Sequence, residues 1–397
     1  MNQRIMNEKD FSIPQIVESN DEYVEKVIAI LNNYKTMIHG SISTKYETAL
    51  LKDVDFVCNT LLEALILGTK SKFPEMDEKM KNLIGYYLED EFWVSELDHN
   101  YAFRGVTYFE KLHSQGFEHQ YEKLKENDLT FFRAVCQKET PDINRMLNCP
   151  FSSISYASAG RFSKQGASCM YLGTTSYVCA KELRFDEKTY SHLHVSAIKF
   201  NELGKKLKIL NLASSKYFNI YDRRDSNNTI LKEIWLSHLK LYPIIIATSF
   251  VVENHANGEI KYEYLLSQSL MRTLKENGIN GIAYASKRNT NSDFAIPHNI
   301  NLAILVDDVS EENDYGTLKN YLSITEPQKF TQSFVDKISE SNDNIEHHSY
   351  VNSNFSDPHD FNSKIHLLGD NELYSSSPYS IFDDYLVNQP FKDGNQL

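Results

Sequence analysis

The sequence predicts an α+β protein in which an all-helical N-terminal region precedes a mixed-sheet domain and a polar C-terminal tail. Three observations carry that expectation. Apolar residues recur at helical spacing through about the first 125 positions. From Leu129 onward, short apolar runs of strand length alternate with helical stretches, without a regular βαβ repeat, which favours a mixed or antiparallel sheet. After about Glu326 no periodic apolar face persists, and Ser, Asn, Asp and His accumulate. The corresponding divisions are 1–126, 127–325 and 326–397.

The N-terminal elements follow from capping and period. Ser19 and Glu22 have capping-box spacing, Val24, Val27, Ile28, Leu31 and Ile38 follow on one face, and Gly40 ends the run. Thr44 and Glu47 repeat the box ahead of a Leu50–Leu65 apolar stripe that Gly68 closes. Further helical patterns cover roughly 76–97 and 101–125. The central region reads as strands at 131–135, 168–172, 192–200, 206–212, 244–253, 280–286 and 301–307. Helices are expected at 174–183, 230–241 and 264–277, the last closed by Gly278. The tail is expected to be largely irregular, with YSSSPYSIFDDYLVNQPF (374–391) as a segment able to fold onto a partner or back onto the preceding domain.

Composition narrows the function. A net charge of −13 opposes non-specific binding to nucleic acid, though a local arginine pair can still hold an anionic ligand. Five cysteines, with no CxxC pair, indicate a reducing, cytoplasmic setting. The first residues, MNQRIMNEKDF, lack the apolar centre of a signal peptide, and the longest apolar run, YPIIIATSFVV (242–252), is too short to span a bilayer. Arg104 and His113 share a helical segment, at a gap too long for the Arg–His pair of helical RNases. His113 with His119, and His347 with His348, lack completing ligands, so no metal is expected. There is no GxGxxG, no GxxxxGK[ST], no GxSxG and no HExxH.

The chemistry concentrates between Phe131 and Leu183, where Arg161 sits beside a glycine, Tyr171 ends an apolar run and Glu182 lies in a helical segment. An arginine, a tyrosine and a glutamate can together bind a phosphate, stack on a flat ring and stabilise a developing cation. The ordered set is Arg133 in FFRAV, Gly160-Arg161-Phe162 with Gly166, Tyr171, Glu182, Gln268, GINGIAYAS ending in Ser286, and Asn301 in INLAIL. That order resembles the RES domain, named for its Arg, Glu and Ser, which Arg161, Glu182 and Ser286 match over about residues 129–307.

The resemblance implies an ADP-ribosyltransferase-like fold and an enzyme that consumes NAD+ as substrate, with no separate cofactor. It implies Glu182, Arg161 and Ser286 as catalytic residues, and Arg133, Tyr171, Ser163, Gln268 and Asn301 as substrate-binding ones. It also implies a toxin or anti-phage role, with an antitoxin or regulatory protein as partner and a homo-oligomer as the assembly. The chain departs from the family pattern in its helical N-terminal region, its longer loop between Arg133 and Arg161, its RFSKQG run and its tail.

Reaction chemistry fits one acid. Nicotinamide leaves NAD+ neutral, so no general acid is needed, whereas an ordinary glycosidase uses two carboxylates. Glu182 would stabilise the oxocarbenium-like transition state, Arg133 and Arg161 would hold the diphosphate, Tyr171 would stack on or close over nicotinamide, and Ser286 would bind the carboxamide or position Glu182. Two alternatives stand beside this: a mono-ADP-ribosyltransferase acting on a macromolecule, and a catalytically silent RES scaffold that binds or senses.

Overall fold

The computed structural model describes residues 11–41, 48–88, 92–104, 127–185, 192–213, 229–255, 258–288, 297–341, 346–355, 364–367 and 370–397. In chain order the helices are α1 (Asn20–Ser41), α2 (Thr48–Thr69), α3 (Phe73–Gly85), α4 (Tyr101–Arg104), α5 (Ser176–Glu182), α6 (Thr229–Ala247), α7 (Leu265–Leu274), α8 (Gln332–Ser341), α9 (Tyr350–Phe355) and α10 (Pro378–Val387). The strands are β1 (Gln15–Val17), β2 (Val94–Glu96), β3 (Thr130–Cys136), β4 (Cys169–Gly173), β5 (Leu193–Phe200), β6 (Lys208–Leu212), β7 (Phe250–Val252), β8 (Gly281–Ala285), β9 (Ile300–Leu305), β10 (Leu322–Thr325), β11 (Gln328–Lys329), β12 (Lys364–Leu367), β13 (Asp370–Leu373) and β14 (Phe391–Asp393).

The main sheet runs β14-β10-β5-β3-β4-β9-β8-β6-β2, with β11 also on β5. Its pairs are antiparallel except β6 with β8, so the mixed sheet expected from the sequence is present. Strand alternation sorts side chains to two faces. Ile282 and Tyr284 of β8, with Cys169 of β4, join one core with buried residues of α1, α2, α3, α6 and α7. Ala283, Ala285, Met170 and Leu172 join a second core with residues of α5, α8, α9 and α10. The N-terminal helices therefore bury their apolar stripes against the same sheet that carries the site, rather than only against one another.

Several elements follow the sequence closely. At the start of α1, Ser19 Oγ accepts from Glu22 N at 3.3 Å and the Glu22 carboxylate accepts from Glu18 N at 2.7 Å. In α2, Val54, Val57, Leu61 and Leu65 are all buried.

Others differ, for physical reasons. The helical pattern at 76–97 stops at Gly85, and Val94–Glu96 becomes the edge strand β2 on β6. Trp93, just ahead of the strand, is buried and donates from Nε1 to Ser237 Oγ at 2.6 Å, which ties this stretch to α6. Of the helix expected over 101–125, Tyr101–Arg104 is present, and the remainder, with His113 and His119, lies outside the described residues, as does the Thr44–Glu47 capping box. Arg104 is fully buried, donates from Nη1 to Asn127 O at 3.0 Å, pairs with Asp98 and lies over the Tyr350 ring, which makes it a structural tie. The strand expected at 244–253 is shorter. Helix α6 continues through Pro243 to Ala247, because a run buried on every side carries no period to separate helix from strand.

The largest correction concerns 326–397, expected to be largely irregular. Its described residues form β11, α8, α9, the β12–β13 hairpin, α10 and β14, which pairs with β10 in the main sheet. Phe330 stacks on Tyr379 at 4.7 Å, and both join Phe382 in the second core. The polar residues that suggested disorder are spent on hydrogen bonds to residues distant in the chain. Asp384 accepts from His348 N, Ser349 N and Asn352 Nδ2 at 3.0, 2.8 and 2.9 Å. His347, expected in a solvated loop, pairs with Asp384 at 3.0 Å. Asp383 accepts from Ser176 N at 3.0 Å, so the tail holds the first residue of α5.

Candidate functional site

The main sheet opens between β3 and β4, which are paired only at Phe132 and Gly173. Arg133 extends into the opening and donates from Nη1 to Tyr171 O at 2.9 Å, a carbonyl that a continuous ladder would have paired. A cavity of about 560 Å³ fills this opening. Its walls include Arg133, Arg161, Tyr171, Glu182, Tyr264 and Tyr284.

Glu182 is the last residue of α5, which doubles back directly after β4. Gly173 permits that close return, since a Cβ there would stand 2.4 Å from Val178 Cγ1 and 2.7 Å from Cys179 Sγ. Thr175 caps the helix, accepting from Val178 N at 3.1 Å while donating to His298 O at 2.8 Å. The Glu182 carboxylate is fixed through one oxygen. Oε1 accepts from Ser286 Oγ at 2.7 Å and from Asn301 Nδ2 at 2.7 Å, whereas Oε2 has no hydrogen bond among the described residues. Asn301 lies on β9 in register with Gly173, so two strands and one helix meet at a single oxygen.

Arg161 is held from the other side. Its Nη1 donates to Thr248 O at 2.9 Å and Phe250 O at 3.0 Å, and its guanidinium lies 5.3 Å from the centre of the Tyr264 ring. Tyr171 contributes its ring to the cavity, while its hydroxyl is used structurally. That hydroxyl accepts from Phe162 N at 3.2 Å and bonds Ser163 Oγ at 2.9 Å, and burial lifts its pKa well above the usual phenol value.

The structure thus brings Arg133, Arg161, Tyr171, Glu182 and Asn301 to one cavity, and places three of the expected residues behind its wall. Ser286 is fully buried and its hydroxyl is directed to Glu182, which selects the positioning alternative over contact with a carboxamide. Ser163 and Gln268, expected among the substrate-binding residues, brace the 160–163 turn instead. Gln268 Nε2 donates to Gly160 O at 2.9 Å and Ser163 O at 3.1 Å. Ser163 sits within the motif and Gln268 reaches it from α7, and sequence order alone does not separate such bracing from ligand contact.

Sequence reasoning missed lining residues that include Arg145, Tyr264, Tyr284, Lys287 and Arg288. Lys287 is buried, donates to Ser249 Oγ at 2.6 Å, and burial, with Arg161 acting in the same direction, brings its pKa down to about 7. Its place next to Ser286 was the available signal. The lining carries five basic residues (Arg133, Arg145, Arg161, Lys287 and Arg288) against one acid, Glu182, in a chain of net charge −13. Such local focusing favours an anionic ligand. The Arg133 Nε is buried without a hydrogen-bond partner, and burial lowers the pKa of that guanidinium. Among the described residues no cluster of three or more His, Cys, Asp or Glu is placed to hold a metal ion, and no described helix is long and apolar enough to cross a membrane.

Comparison with known proteins gives the following. No curated protein sequence matches this chain. Among solved structures, the chain is similar to a chain of the M. tuberculosis MbcT–MbcA toxin–antitoxin complex, at 11% identity over 53% of this chain and 88% of that one, with a TM-score of 0.27. Residues 130–319 match the model of the RES domain family, a span that contains β3, β4, β8 and β9 and every residue shown above to line or brace the cavity. The cavity-bearing part of this chain, residues 130–319, therefore matches the RES domain family.

Proposed function

We propose that this protein degrades NAD+ by cleaving the bond between nicotinamide and ribose, with water or phosphate as acceptor, and that it serves as a toxin or anti-phage effector. The observation that carries the reading is the Glu182 carboxylate, pinned through Oε1 by Ser286 and Asn301 within a cavity whose other charges are all positive.

The cationic lining binds the diphosphate, with Arg133 and Arg161 supplying planar donor groups. Tyr171, Tyr264 and Tyr284 offer aromatic faces to the nicotinamide and ribose. As the C1′–N bond breaks, its electron pair passes to the pyridinium nitrogen and neutral nicotinamide departs, so no acid has to protonate it. Positive charge grows on C1′ and O4′ of the ribose. Glu182 stabilises that charge, and its second oxygen takes a hydrogen bond from a ribose hydroxyl. With water as acceptor, C1′ gains a C–O bond, the water proton is lost to Glu182 or solvent, and the products are ADP-ribose and nicotinamide.

The test is incubation of the purified protein with NAD+ and quantitation of nicotinamide and ADP-ribose. Wild type is expected to release both in equal amounts, and Glu182→Gln to lose at least about 100-fold in rate. Transfer of labelled ADP-ribose to a protein or nucleic acid would establish the transferase alternative. Unchanged turnover in Glu182→Gln would remove Glu182 from the chemistry.

A further inference from the structure

A second cavity, of about 440 Å³, adjoins the RES cavity and is built by the long loop between β3 and β4. Arg145 lines both cavities. The same loop also joins them, since Tyr156 lines the second cavity and Ser158 the first. We propose that this second cavity takes the purine end of the dinucleotide, with Arg145 on the diphosphate at the junction. The inference rests on the reading of the first cavity as the site of the nicotinamide ribose.

Three observations support it. First, the form of the ligand matches the form of the site, with two ring-bearing halves joined by an anionic bridge set against two cavities joined at an arginine. Second, the Arg145 guanidinium makes no hydrogen bond or ion pair with a described residue, and it presses on Arg133 as a like charge. The nearby acids are engaged elsewhere. Asp142 Oδ1 accepts from Asn144 N at 2.9 Å, and the Asp314 carboxylate accepts from Ser152 N at 2.7 Å and Ser152 Oγ at 3.0 Å. Two guanidinium groups lining one cavity, with no carboxylate hydrogen-bonded to either, define a place for an anion.

Third, Tyr156 leaves 87% of its surface exposed at the lip of the cavity, a ring face open for stacking. What this cavity offers, then, is one aromatic face beside an uncommitted guanidinium, which suits a flat base joined to an anionic bridge.

Two measurements test the assignment. The first is calorimetric binding of AMP to the full chain, which needs no catalysis. Tyr156→Ala and Arg145→Ala are each expected to weaken AMP about tenfold, the usual scale for loss of a stacked base or a phosphate contact. The second is the ratio of kcat/KM for NAD+ to that for nicotinamide mononucleotide, which lacks the purine. That ratio is expected to fall about tenfold in Tyr156→Ala. AMP binding and a kinetic ratio both unaffected by Tyr156→Ala would overturn the assignment while leaving the proposed cleavage intact. Tyr156-dependent AMP binding without nicotinamide release would uphold the purine cavity and overturn the cleavage.

Discussion

The two donors to Glu182 Oε1 offer the sharpest test of the site. Removing one, by Ser286→Ala or Asn301→Ala, leaves the carboxylate with a single 2.7 Å bond and freedom to turn about it. A hydrogen bond to a charged group contributes about 1.5–3 kcal/mol. Glu182 is half-buried, so solvent replaces part of that loss, and the lower part of the range applies. About 1.5–2 kcal/mol corresponds to about 10- to 30-fold in kcat/KM. Ser286 Oγ also accepts from Arg288 N at 3.2 Å, which makes Asn301→Ala the cleaner of the two variants. Because both donors act on one oxygen, the double variant is expected to lose less than the product of the two single effects. The assay is initial-rate nicotinamide release, with thermal unfolding as the control for folding. If both single variants melt like wild type and retain kcat/KM within about twofold of it, the carboxylate does not act through this geometry.

Three further outcomes follow from the structure. Gly160→Ala would place a Cβ 2.5 Å from Tyr171 Oη and 2.9 Å from Ser163 Oγ, so the variant should lose about 1–3 kcal/mol in urea unfolding and raise KM for the dinucleotide; a wild-type stability and KM would show the turn to be freer than it looks. Lys287 has a folded pKa of about 7 against an ordinary 10.5, with Arg161 and Glu182 beside it, so the unfolded chain binds the extra proton between those values and stability rises with pH from about 7 toward 10; Lys287→Met should flatten that rise in urea titrations, and an unchanged slope would assign it to another group. Deleting 378–397 removes the buried Tyr379, Phe382 and Leu386, each worth about 2–5 kcal/mol against a total of about 5–15 kcal/mol, so the truncated chain should show no cooperative thermal transition; a native-like melt would mean the segment is dispensable.

By itself, the amino-acid sequence determined the helical start of the chain, the strand-and-helix order of the middle and the residues around the cavity. The reason is local. The Ser19–Glu22 cap, the apolar stripe of α2 and the pattern from Arg133 to Asn301 each carry their signal within a few residues or in a fixed order. Tertiary structure alone decided three things. It turned the polar tail into part of the fold, because the donors that satisfy Asp383 and Asp384 lie 207 and 36 residues away in the chain at Ser176 and His348. It turned Ser163 and Gln268 from ligand contacts into supports and chose, for Ser286, the positioning of Glu182, since only the direction of a side chain separates those roles. It also added Arg145 and Lys287 to the site, residues from a loop and a buried strand end whose charge has meaning only beside Arg133 and Arg161.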